Sequence, residues 1–149
     1  MNLERYEYQS GKDYLDYEFF SEGPKGVIKK GVRFTLAQFN GIYFYNLAFG
    51  DWSEELRSLN DFSVTNNDDV EKVLATVASV VMDFLEHFPD TIIYAEGSTP
   101  ARTRRYQMGI NKAWNEIAEQ YEVFGIRPDD IIEPFRKNVN YDAFWVRRR

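Results

Sequence analysis

Residues 97 to 106 read GSTPARTRRY, between an apolar run, Ile92-Ile93-Tyr94-Ala95, and a pattern of helical period. Thr99 is placed to cap that helix and Pro100 to be its first residue. Arg102, Arg104 and Arg105 then fall in the first turns, where the partial positive charge of a helix N-terminus disfavours cations. No acidic residue lies between Gly97 and Asn115 to offset them. A bound phosphate or carboxylate would resolve the conflict. Free backbone N–H groups and the helix dipole favour an anion there, and arginine suits its forked recognition. Arg102 lies four residues before Tyr106, so the two share the core-facing side of the helix. Arg105 neighbours Arg102 at i+3, and Arg104 points elsewhere. Ser98, Thr99, Arg102 and Arg105 are therefore the candidate anion ligands, with Tyr106 lining the site. The alternative is structural: Arg102 pairs with Glu96 or a carboxylate from another strand, and the other two arginines are solvated. The stretch matches neither the phosphate-loop nor the dinucleotide glycine signature.

Few other residues could do chemistry. His87 is the single histidine and there is no cysteine. A zinc site, a thiolate nucleophile or a serine–histidine triad is not expected, and neither a metal nor a cofactor is predicted. His87 sits at the end of a helical pattern, where a cation suits the dipole. Asp61, Asp68, Asp69 and Asp90 suit turns and helix starts. Glu7, Asp16 and Glu18 alternate with Tyr6, Tyr8 and Tyr17, as on a solvated strand face. Arg147-Arg148-Arg149 reads as a disordered basic terminus. Trp52 is expected to pack locally.

A net charge of −6 argues against general nucleic-acid binding. An aromatic fraction of 17% argues against disorder. The N-terminal stretch lacks the apolar core of a secretion signal, and Val73 to Met82 is too short to span a bilayer. With no cysteine to oxidise, the cytoplasm is the expected compartment, and no membrane contact is predicted.

The elements that must position the arginines follow from periodicity. Residues 14–20, 28–35 and 42–49 alternate as strands, with turns at Ser21 to Gly26 and Asn40-Gly41. They predict an antiparallel meander of three strands. Residues 50–67 read as polar and irregular. Val70, Val73, Leu74, Val77, Val81, Phe84, Leu85 and Phe88 recur at helical spacing, with Asp68 and Glu71 as a reciprocal cap, Asn67 as an alternative cap, and Pro89 as the stop. A short strand at Thr91 to Ala95 precedes the second helix, whose stripe runs from Tyr106 to Tyr121. Strands follow at Glu122 to Ile126 and Asp142 to Val146. Residues 131–138 fit either reading. The prediction is one α+β domain over residues 1–149, β-β-β-α-β-α-β-β, a mixed sheet packed by two helices.

That order, with the strand TIIYA and a helix carrying Arg104-Arg105-Tyr106, resembles the GCN5-related N-acetyltransferase (GNAT) fold. The resemblance implies a group-transfer enzyme with Tyr106 as general acid. It extends to topology and not to the cofactor motif, Arg/Gln-x-x-Gly-x-Gly/Ala. The corresponding stretch, Ser63 to Val70, has no glycine and two acids, which would repel a pyrophosphate. The stretch from Val73 to Ile110, with VLATV and GSTPARTRRY, also resembles small uncharacterised Bacteroidetes and phage proteins described only as domains of unknown function. That resemblance implies no activity, but associates the chain with phage conflict or toxin–antitoxin systems. Three functions follow. The first is a bacterial domain binding a small anionic ligand or a protein partner at the strand–GSTPAR–helix junction. The second is the GNAT-like enzyme. The third is an interaction protein whose acidic strands meet a basic partner, with an open strand edge available to form a homodimer. The residues favour binding over catalysis and assign no catalytic group.

Overall fold

The computed structural model describes residues 4–60 and 66–149. Asp61 and the Ser63–Thr65 part of the stretch compared with the acetyltransferase cofactor motif lie outside them. One open mixed sheet forms the frame. Its strands are β1 (Tyr8–Ser10), β2 (Asp16–Gly23), β3 (Gly26–Phe39), β4 (Ile42–Ser53), β5 (Ser58–Asn60), β6 (Ile92–Ala95), β7 (Tyr121–Ile126), β8 (Ile132–Pro134) and β9 (Ala143–Arg148). The order across it is β1-β2-β3-β4-β6-β9-β7-β8, with β5 also on β4. The helices are α1 (Val70–His87), α2 (Pro100–Lys112) and α3 (Trp114–Gln120).

The meander forms as its turn residues require. Asn40 and Gly41 both adopt positive φ, 51° and 80°, the geometry of a tight two-residue hairpin. The β2–β3 turn closes at Gly23 and Gly26 and is pinned by Asn67, which is 1% exposed. Asn67 Nδ2 donates to Gly26 O at 2.8 Å and its Oδ1 accepts from Lys25 N at 2.7 Å.

α1 and α2 lie on the same face of the sheet. Leu74 and Val77 of α1 and Ile110 of α2 share one apolar cavity with Leu47, Ile93 and Phe144 of the strands. Phe84 of α1 is fully buried and stacks on Phe34 at 4.0 Å. The amphipathic pattern of α1 is thus spent on the sheet, as its period demanded. No helix among the described residues is long and apolar enough to cross a membrane.

Several expectations need correction. Residues 50–60 are not irregular: β4 runs on to Ser53 and folds back as β5, and β1 adds a strand before β2, so five strands precede α1 rather than three. Neither Asp68 nor Asn67 caps α1. Asp68 takes a left-handed φ of 63°, and Asp69 occupies the cap position without a side-chain cap bond. The Asp69 carboxylate instead accepts from the hydroxyls of Ser21 and Tyr6, the latter at 2.6 Å. Tertiary hydroxyls have outcompeted the local amide.

The second helix divides at Ala113 into α2 and α3, making three helices rather than two. Trp114 there packs on Phe135 at 4.9 Å, a partner outside the helix that the local period does not encode. The terminal arginines are not a disordered tail. Arg147 and Arg148 continue β9, with Arg147 on Glu122 at 3.1 Å and Arg148 on Glu86. Residues 132–134 resolve as the short edge strand β8.

Candidate functional site

The site arises where two parallel strands part. β4 and β6 pair in parallel only through Tyr45–Ile93, Asn46–Tyr94 and Leu47–Ala95. β4 then continues, and β5 pairs with it from Asp51 onward. Asp51 also pairs with Lys30 of β3, so β5 occupies the edge of β4 that β6 has left. Among the described residues no strand pairs with that edge between Leu47 and Asp51, and a notch lies there. A crevice beyond the carboxyl ends of parallel strands is where open α/β sheets characteristically take ligands.

Both long helices begin at this notch. α1 contributes Asp69, Val70, Val73 and Leu74 from its first turns, and α2 contributes Ala101, Arg102, Arg105 and Tyr106. Together with Ser98 and Thr99 they enclose a cavity of about 330 Å³ over Leu47, Ala48 and Phe49 of β4. Two helix N-termini therefore direct partial positive charge toward one space.

The α2 entrance is held by local bonds. Thr99 accepts the Arg102 N–H at 3.3 Å, with Pro100 at the first helical position, as its cap role requires. Gly97 N donates to Thr103 Oγ1 at 2.9 Å, folding the loop back on the helix. A Cβ on Gly97 would lie 2.4 Å from Thr103 N, so only glycine permits that approach. Arg102 Nη1 donates to Ser98 Oγ at 2.7 Å. Arg102 and Arg105 are half-buried on the cavity side, while Arg104 is exposed. The Arg105 guanidinium engages no carboxylate among the described residues.

Three cations line the space, Lys30, Arg102 and Arg105, against two carboxylates, Asp69 and Glu96. Lys30 is 1% exposed and pairs with Asp51 at 2.6 Å. Both lining carboxylates accept hydroxyl donors: Asp69 from Ser21 and Tyr6, and Glu96 from Tyr94 at 3.1 Å. Burial, and then the neighbouring Glu96 carboxylate, push the Tyr94 hydroxyl up to about 12, which keeps it a donor. Tyr6 is likewise raised, by burial and then by its bond to Asp69. Among the described residues Glu96 accepts from the Tyr94 hydroxyl, and Arg102 donates to Ser98 Oγ.

A family model described as a family of unknown function, DUF6934, matches residues 2–149. The chain belongs to the DUF6934 family. No curated protein and no solved structure matches it.

In this DUF6934 chain Ser98, Thr99, Arg102, Arg105 and Tyr106 all line the same cavity. Sequence reasoning missed Lys30, Asn46 and Asp69, which join them from β3, β4 and the start of α1. Lys30 carried a faint signal, as a cation at an inward-facing position of an alternating strand. Asn46 and Asp69 carried none, because their place depends on how β4 separates from β6. Thr103 was also missed: it is 4% exposed and holds the loop rather than lining the cavity. His87 lies far from this notch in the chain's organisation. Its Nδ1 meets Asp83 O at 2.9 Å and its ring stacks on Tyr14 at 3.9 Å, a helix-end role. Among the described residues, no group of histidine, aspartate and glutamate could hold a metal ion.

Proposed function

We propose that this DUF6934 chain binds a small anionic molecule in the notch between β4 and β6. One observation carries the reading. The helix that opens with three arginines and no nearby acid in its sequence turns two of them, Arg102 and Arg105, toward a cavity that a second helix N-terminus also faces. Lys30 is paired with Asp51, and the Asp69 and Glu96 carboxylates accept hydroxyl donors, so the local attraction for an anion comes from Arg102 and Arg105 together with the two helix N-termini. The anionic group sits between Ser98, Thr99, Arg102 and Arg105. The uncharged part of the molecule rests on Tyr106, Phe49 and Val73.

A thermal-shift panel of phosphate, sulfate, nucleotides, NAD and coenzyme A tests this on wild type, Arg102→Ala and Arg105→Ala. A ligand that binds only the native state raises the melting temperature by mass action. The reading expects a shift in wild type that both variants lose. An unresponsive wild type sinks it.

A second reading is group transfer with Tyr106 as the acid. The parallel β4–β6 pair, connected through α1, supports it as one β-α-β element of the expected order, although five strands rather than three precede α1. The carboxylate of Asp69 on the cavity wall opposes a pyrophosphate. A coenzyme A shift dependent on the notch would favour this reading, and a flat response at millimolar concentration would remove it.

A further inference from the structure

Behind the notch lies a second, smaller cavity of about 70 Å³, walled by apolar side chains of α1, α2 and the sheet. The two spaces share Leu47, Leu74 and Tyr106 in their walls, so the inner one adjoins the floor of the outer. Along α1 its wall runs from Leu74 to Met82, roughly 12 Å at the helical rise. Gly109 widens it: a mid-helix glycine forgoes about 1 kcal/mol of helix propensity, and a Cβ there would meet Leu74 Cβ at 3.4 Å. A space walled by apolar side chains in this way favours an apolar occupant over water. Arg102 and Arg105 stand at the outer end and no cation lines the inner one.

We infer that the ligand is an amphiphilic anion, a carboxylate or phosphate head bearing an unbranched apolar tail that passes Tyr106 into the inner cavity. The inference rests on the anion-site reading and specifies its substrate class. Polarity changes from the outer space to the adjoining inner one in the order such a molecule requires, with charge at the helix N-termini and hydrocarbon along α1. A nucleotide or sugar phosphate would leave the inner space empty.

The test is calorimetric titration of the full chain with sodium acetate, butyrate, hexanoate and octanoate, beside inorganic phosphate and octanol. Affinity is expected to rise about fourfold per added methylene until the cavity is full. Arg105→Ala should weaken every carboxylate equally. Ala78→Leu, which fills the inner cavity from α1, should weaken octanoate and spare acetate. If that variant fails to fold, Gly109→Ala supplies the same comparison with a smaller side chain. Affinity independent of chain length, with phosphate still bound through Arg105, overturns the tail and leaves the anion site standing. Octanol binding as tightly as octanoate overturns the amphiphile. No binding of phosphate or any carboxylate removes both readings.

Discussion

The N–H of Gly97 points at the hydroxyl oxygen of Thr103, 2.9 Å away, while Thr103 Oγ1 donates on to Thr99 O at 3.2 Å. This relay joins the strand exit, the cap residue and the first turn of α2 into one rigid corner. Arg102 is carried on that corner, one residue before Thr103, so the placement of its guanidinium depends on a contact made by its neighbours.

Replacing Gly97 by alanine should break the corner. The new Cβ would sit 2.4 Å from Thr103 N and 2.8 Å from Arg102 Cβ, neither of which can yield cheaply. Overpacking of this kind costs about 1–3 kcal/mol. Urea unfolding should show that loss, together with loss of any anion-induced thermal shift. A variant of wild-type stability would show that the loop opens freely.

Thr99→Ala should be milder. It removes the one side-chain cap of α2, worth about 1 kcal/mol, and keeps the backbone path. The urea midpoint should fall modestly, with an unchanged slope. A loss several times larger would mean that Thr99 does more than cap.

The Lys30–Asp51 pair should be costly to break from one side. Lys30 is 1% exposed, so Lys30→Met removes the ion-pair partner of a poorly hydrated carboxylate, at about 3–5 kcal/mol. Asp51→Asn should also destabilise. The two changes combined should cost less than the sum of the singles in a double-mutant cycle. Additive losses would show that the pair is not coupled.

Alkaline pH should unfold the protein through its buried tyrosines. Burial raises Tyr17, Tyr94 and Tyr121 from 10.0 to about 12, with Glu86 adding to the effect at Tyr121. Between those values the folded chain holds protons that the unfolded chain releases. Stability is therefore full below pH 10 and falls as pH rises toward 12. Tyrosinate absorbance should climb together with loss of the fold. Tyr121→Phe should flatten the melting temperature's decline over that window. An early absorbance rise at constant fold would show these hydroxyls to be accessible.

Much of this structure was legible in local pattern. The period of Val70 to Phe88, the stop at Pro89, the Asn40-Gly41 hairpin and the Thr99-Pro100 helix start each depend on neighbours a few residues away, and each stands in the fold. The same locality identified Ser98, Thr99, Arg102, Arg105 and Tyr106 as a group. They span less than three turns of chain and share a helix start, so spacing alone placed them near one another.

What local pattern could not supply was the space they face. That depends on β4 pairing with β6, distant in sequence, for three residues and then with β5, which follows it directly in the chain. Lys30, Asn46 and Asp69 reach the cavity only through that pairing. The Asp69 carboxylate illustrates the limit: sequence offers it a helix cap, whereas the fold brings Tyr6 and Ser21 within reach, and hydroxyl donors displace the backbone amide. Ala113 and the final arginines behave alike, the first yielding to Trp114 on Phe135, the last recruited by Glu122 and Glu86. The sequence by itself determined the course of α1, the start of α2, the Asn40-Gly41 turn and a cluster of arginines at a helix start, because backbone preference and hydrophobic period act at short range. Only the tertiary structure decided that Arg102 and Arg105 border a partly enclosed notch beside an apolar space, because such walls require surfaces that meet only after the sheet has assembled.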